Sequence, residues 1–186
     1  MAVTASRDWL EEGMAILEDL GAEALTIETL TNRLSVTKGS FYHHFKNFKN
    51  FKENLLAFYE KERTLQIIRL AEREKSPRAK LERIMQATLQ SPHLEVAIRA
   101  WALQDIVVRE YQRRIDRQRL AYLTELSYAI IGDHSQAARM AQLFYSIYVG
   151  SQHIVPPIQG AELALLYQEA LPLLNLVSNI PAPDEV

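Results

Sequence analysis

The chain has 186 residues, 48% hydrophobic and 24% charged, with a formal net charge of −2, so it can bury a sizeable core and is too apolar to be disordered along its length. It contains no cysteine, which excludes disulfides, thiol nucleophiles and thiolate metal sites. No apolar run approaches the roughly eighteen residues of a membrane span, and the N-terminus lacks the apolar stretch of an export signal, so a cytoplasmic protein is expected.

In chain order, Ser6 and Asp8 signal the start of a first helix and Gly21 its left-handed stop. Trp9, Ile16 and Leu20 form one apolar line on it and Leu10, Met14 and Leu17 the next, a stripe broad enough to cover two short helices. Thr26 sits where an N-cap is wanted, and Glu28 follows in the first turn. Ile27, Leu30 and Leu34 recur at three- and four-residue spacing, which predicts a short helix over Ile27–Leu34. Ser35-Val36-Thr37 breaks it, and Thr37 can cap a second helix running through Phe45. There Phe41 and Phe45, four apart, point inward together. Lys38, Ser40, His43 and in part His44 are left facing out, and Tyr42, outward of the aromatic seam, can donate its hydroxyl to a phosphate oxygen. Two short helices joined by a three-residue turn, the second polar on its outer face, make a helix-turn-helix. Gly39 costs its helix about 1 kcal/mol against Ala; a backbone that must approach a phosphate or a base edge would account for it.

Charge is distributed to match. Thr29–Lys52 carries five basic residues (Arg33, Lys38, Lys46, Lys49, Lys52) and no acid, whereas Met1–Glu28 carries seven acids against one Arg. The basic character is a local footprint suited to phosphate on an otherwise acidic chain.

Asn47–Arg73 holds neither Gly nor Pro and reads as one long helix, a rod of about 25 residues and roughly 37 Å that leaves the first domain for the second. Ser76-Pro77 and Ser91-Pro92 each supply a cap and a Pro at the first helical position. Short helices are expected over Pro77–Leu89 and His93–Leu103, then a longer one from Asp105 to Ile131 with Ile106 among its apolar residues. The arginines of that helix (Arg109, Arg113, Arg114, Arg117, Arg119) invite a second nucleic-acid reading, but Asp105, Glu110 and Asp116 lie at pairing distance, which favours a solvated face. Asp133 and Gln136 fit a capping box for a helix from Ser135 to Gln152. His153–Gly160 is a loop. The last helix, Ala161–Asn179, is apolar nearly all round and should kink near Ala170, ahead of Pro172; the PAPDEV tail should fray.

No enzyme constellation is present. The five histidines include no i,i+4 pair with a carboxylate partner, and there is no Gly-rich phosphate loop and no nucleophile elbow. No catalytic residue, metal ligand or cofactor is therefore assigned.

The run L-x(3)-L-S-V-T-K-G-S-F-Y-x-H-F, preceded by L-G-x(4)-T, resembles the N-terminal domain of the tetracycline-repressor (TetR) family of bacterial transcription regulators. Leu20-Gly21, Thr26, Leu30, Val36, Thr37, Gly39, Tyr42, His44 and Phe45 fall at the family's spacing over about the first 55 residues; the remainder matches only in being helical. Departures are Ser35 where the family usually has Gly, Thr31 where it has Ala, and Phe48 where it has Lys. The resemblance implies an all-α protein, with an N-terminal three-helix helix-turn-helix domain (residues 1–47) and a larger helical-bundle domain for ligand binding and dimerisation (48–186). It implies that Thr26, Thr37, Tyr42, His44 and Lys46 anchor the sugar-phosphate backbone, while Lys38, Ser40 and His43 face the bases of double-stranded DNA beside Gly39.

One such domain has few phosphate contacts, so two copies on a palindromic operator are expected. The last two helices offer the homodimer surface, through Leu143, Ile147, Leu166 and Leu173 with near neighbours. Trp101, Tyr111, Tyr122, Met140, Phe144 and Tyr148, with Gln104 as a polar group, are candidates for an effector pocket. Each by itself reads more readily as core, and the resemblance implies an apolar or amphipathic small molecule there. The expectation is a repressor released by such an effector. The alternatives are a DNA-binding regulator whose second domain senses nothing, and an all-α enzyme or carrier.

Overall fold

The computed structural model describes residues 5–89 and 92–177. All regular structure among them is helical: α1 Ser6–Leu20, a short 3-10 turn Ala22–Ala24, α2 Ile27–Arg33, α3 Lys38–His44, α4 Phe48–Glu60, α5 Gln66–Ala71, α6 Pro77–Ala87, α7 Pro92–Gln104, α8 Ile106–Ile131, α9 His134–His153, α10 Gly160–Ala170 and α11 Leu173–Val177. The cap at Ser91, the end of the last helix past Val177 and the PAPDEV tail lie outside the described residues.

The expected caps form. Thr26 Oγ1 accepts the Thr29 N–H at 3.1 Å, Ser76 Oγ that of Ala79 at 3.1 Å, and Asp133 Oδ1 that of Gln136 at 2.7 Å. Each satisfies one of the donors that a helix start leaves open. The turn between α2 and α3 places Ser35 at φ 53, in the left-handed region where a side chain is disfavoured, which is the physical reason Gly is common there. Pro172 separates α10 from α11 as expected.

The run after the helix-turn-helix is helical throughout but not uniform. A five-residue π turn, Lys61–Leu65, joins α4 to α5, a register change that spacing of apolar residues does not announce.

Two compact units result, one of Met1–Gln66 with His93–Ile115 and one of Ile67–Pro92 with Asp116–Val186. The first has a core of Trp9, Ile16, Leu17, Leu30, Phe41, Phe45, Phe51 and Leu55, extended by Leu94, Ile98 and Trp101 of α7. Within it the Glu95 carboxylate is 3% exposed. It accepts the Tyr59 hydroxyl and pairs with Arg99 at 2.9 Å, compensation that a buried charge requires. The second unit packs Leu81, Met85, Leu123, Leu126, Met140, Phe144, Leu163 and Tyr167 together.

Two apolar residues are not where periodicity puts them. Leu20 is 59% exposed because the buried face of α1 ends at Leu17. Ile106, in the first turn of α8, is exposed as well.

Candidate functional site

The first unit presents α3 as a helix with one locked face and one free face. Phe41 and Phe45 are buried, their rings 5.6 and 5.1 Å from that of Phe51 on α4, and Trp9 of α1 packs edge-on against Phe41 at 5.5 Å. Edge-to-face contacts of this kind add roughly 0.5–1.5 kcal/mol each beyond burial, so the helix is held in one orientation. On the outer face Thr37, Lys38, Gly39, Tyr42, His43 and Lys46 are exposed and Ser40 is half-buried. His44 is turned back: half-buried, its Nδ1 lies 3.2 Å from Ser6 Oγ and its ring lies beside Trp9. Thr37 Oγ1 accepts the Ser40 N–H at 3.4 Å. Thr26, exposed at the start of α2, is the remaining member of the expected set.

The departures at Thr31 and Phe48 have a structural account. Thr31 is buried and donates its hydroxyl to the Glu28 carbonyl at 2.9 Å, so the extra oxygen is satisfied. Phe48 packs on the aromatic core, its ring 5.8 Å from Phe51, while Lys46 and Lys49 on either side are exposed at the start of α4.

Electrostatics narrows the basic patch. Arg33 is bound to Asp19 at 2.6 Å and to Glu12 at 3.1 Å, and Lys52 to Asp105 at 2.5 Å. Two of the five basic residues of Thr29–Lys52 are therefore neutralised by acids of their own chain, which sequence distance concealed. Lys38, Lys46 and Lys49 remain without an ion pair among the described residues. Burial pushes the Asp105 carboxyl up, but the Lys52 ammonium and the N–H groups of Val108 and Val107 outweigh it and hold it below its ordinary value.

The α8 arginines are engaged within the protein. Arg109 donates to the carbonyls of Ala102 and Leu103, Arg113 pairs with Glu110 at 2.8 Å and Arg114 with Glu60 at 2.5 Å. Among the described residues no three metal-ligating side chains cluster, and no helix is long and apolar enough to cross a membrane.

Of the expected pocket residues, Trp101 and Gln104 come together. With Ala97 and Ala100 of α7 they face Leu20–Glu23 across a cavity of about 240 Å3. Tyr111, in the same unit, lies beneath the Arg114 guanidinium at 4.2 Å. Tyr122, Met140, Phe144 and Tyr148 belong to the second unit. There Met140 and Phe144 are core, Tyr122 donates to Glu72, and Tyr148 stacks near Tyr145 at 5.9 Å. On the outside of that unit Leu143 is 38% and Leu166 40% exposed, with Leu165 at 59%, while Ile147 and Leu173 are half-buried.

Residues that sequence reasoning passed over also shape the site. Gly13 lets α1 close on Phe51, and a lone glycine inside a helical pattern was the available signal. The Lys52–Asp105 pair and the Tyr59–Glu95 hydrogen bond had none, because their partners are remote in sequence.

Residues 10–57 match the model of the bacterial regulatory proteins of the tetR family. No curated protein sequence matches the chain significantly. Among solved structures, it is similar to a transcriptional regulator from Rhodococcus sp. Rha1, with TM-score 0.78 and 16% identity over 96% of this chain and 100% of that one. It is also similar to a TetR transcriptional regulator from Legionella pneumophila, with TM-score 0.71 and 12% identity over 96% and 98% of the two chains. A third is reduced NemR of E. coli, with TM-score 0.70 and 21% identity over 97% and 100%. These likenesses establish the fold, and the match at residues 10–57 spans the helix-turn-helix of α2 and α3. The chain is thus of all-α fold, shared along its length with solved transcriptional regulators, and over residues 10–57 it is similar to the bacterial regulatory proteins of the tetR family.

Proposed function

We propose that the protein is a repressor that binds a palindromic operator as a homodimer and leaves it when a small molecule binds. Residues 1–47 serve as the DNA-binding domain and 48–186 as the regulatory and dimerisation domain. The observation that carries this reading is the two-faced α3, whose aromatic side is locked while Lys38, Gly39, Tyr42 and His43 are exposed. A helix so held can enter the major groove without reorganising. Lys38, Ser40 and His43 then face base edges, with Lys38 suited to guanine O6 and N7. Thr26, Thr37, Tyr42, His44 and Lys46 take phosphates, joined by Lys49 at the positive end of α4.

Dimerisation follows from charge. Of the three lysines without ion pairs, only Lys46 and Lys49 lie on phosphates, too few for tight binding by one copy, and a second copy on a two-fold axis doubles them. The exposed leucines Leu143, Leu165 and Leu166, flanked by Ile147 and Leu173, supply an apolar row on α9, α10 and α11 for an isologous contact.

The test is fluorescence anisotropy on a palindromic duplex selected from a random pool, followed by a compound screen for release. Two chains per duplex, strong salt dependence and at least one releasing compound are expected. Absence of duplex binding overturns the reading. Binding with no releasing compound from a broad screen leaves a regulator whose second domain is only a scaffold.

A further inference from the structure

The cavity between the α1–α2 connection and α7 takes no part in DNA contact or in the apolar row of the second unit. At about 240 Å3 it is smaller than the roughly 300–1,000 Å3 of pockets that hold drug-sized molecules, which limits an occupant to about one fused ring system. Trp101 offers an indole surface, and Ala97 and Ala100 keep the rest of the α7 side free of bulk. Glu23 is the ionised group of the lining; it is exposed and has no ion pair among the described residues. An ammonium does lie over Trp101, that of Lys52 at 5.9 Å, but Asp105 neutralises it at 2.5 Å, so the lining stays net negative. An indole beside an uncompensated carboxylate favours a cation with spread charge over its neutral or anionic analogue.

We propose that this cavity binds a flat monocationic ring compound, and that its occupancy sets operator affinity. The second clause rests on the reading that a small molecule releases the protein from DNA. One wall is the segment Gly21–Ala24, which leads directly into the Thr26 cap of α2; the other is the last turns of α7. A molecule touching both prefers one spacing of α7 and the helix-turn-helix, and by linkage DNA alters its affinity by the same factor.

The probe is N-methylquinolinium, titrated calorimetrically against the full chain beside quinoline and 2-naphthoate at pH 8, where quinoline is neutral. The cation should bind once per chain and about fivefold or more tightly than either analogue. Glu23→Gln should remove that preference, and Ala100→Phe, at an exposed position of α7, should fill the cavity and abolish probe binding while the helical circular dichroism is unchanged. No binding by the cation, no preference over quinoline and naphthoate, or unaltered binding to both variants overturns the site. Binding that both variants impair but that leaves operator affinity unmoved keeps the site and overturns its regulatory role. Release of operator from the Ala100→Phe protein by another compound keeps the effector reading and removes this cavity from it.

Discussion

A Cβ on Gly13 would stand 2.9 Å from Cζ of Phe51 and 3.2 Å from Cδ1 of Leu55. Helix α1 closes on α4 at a point where even a methyl group does not fit. Phe51 and Leu55 are fully buried, and the Phe51 ring is hemmed in by Phe41, Phe45 and Phe48, so neither neighbour can yield cheaply. Alanine would gain the helix about 1 kcal/mol, but overpacking a closed core costs about 1–3 kcal/mol. Gly13→Ala is therefore expected to lower the urea midpoint and to weaken operator binding, because Phe51 also holds α3 through Phe41. A raised midpoint would show that the core relaxes.

Gly39 is the opposite case. The contact a Cβ would meet there is Thr37 Oγ1 at an ordinary 3.6 Å, so packing within the protein does not demand glycine. Gly39→Ala should stabilise the fold by up to about 1 kcal/mol and weaken operator binding by about tenfold, as expected where backbone meets DNA closely. Thermal melts and anisotropy measure the two effects separately; unchanged DNA affinity would dissociate the glycine from DNA approach.

Salt dependence counts the phosphates that lysines neutralise. With Arg33 and Lys52 paired internally and Lys38 on base edges, a dimer brings Lys46 and Lys49 to phosphates twice. The slope of log K against log salt should be near −4 rather than the roughly −7 that adding Arg33 and Lys52 would give, at about 0.9 per phosphate. Lys46→Ala should flatten it by about two units per dimer and weaken all sequences alike, whereas Lys38→Ala should alter base preference by about 1–3 kcal/mol. A slope near −7 would mean that the internal pairs open on DNA.

Asp105 provides a pH test. Its folded pKa lies below the ordinary value, so the unfolded chain binds the proton first and the ion pair stabilises the fold above the unfolded value. That contribution fades as pH falls past about 3.9 and on through the lowered folded value. Asparagine keeps the cap on the Val107 and Val108 N–H groups but not the charge. Asp105→Asn should therefore cost about 1 kcal/mol at pH 7, with the gap to wild type closing in acid. A gap independent of pH would point to geometry instead of charge.

Placing a charge in the exposed leucine row should prevent association. Leu166→Glu, at a position 40% exposed in the single chain, should leave the chain folded but monomeric by analytical ultracentrifugation. Operator affinity should then fall by about a thousandfold, the order of gain that linking two binding modules contributes. A dimer that persists would place the interface elsewhere.

Local chemistry made much of this protein legible in the sequence. Thr26, Thr37, Ser76 and Asp133 cap the helices they were expected to cap, because a cap needs only a donor and acceptor three residues apart. Phe41 and Phe45 are buried and Tyr42 exposed, because a helix fixes which side chains share a face. What the sequence left open depends on residues far apart in the chain meeting in space. Arg33 and Lys52 read as part of the basic patch until Asp19 and Asp105 were brought against them. Leu20 read as core until its helix proved to outrun its packing, and Gly13 had no evident purpose without Phe51. Periodicity determines the face of a helix on which a residue lies; only tertiary structure decides whether anything covers that face.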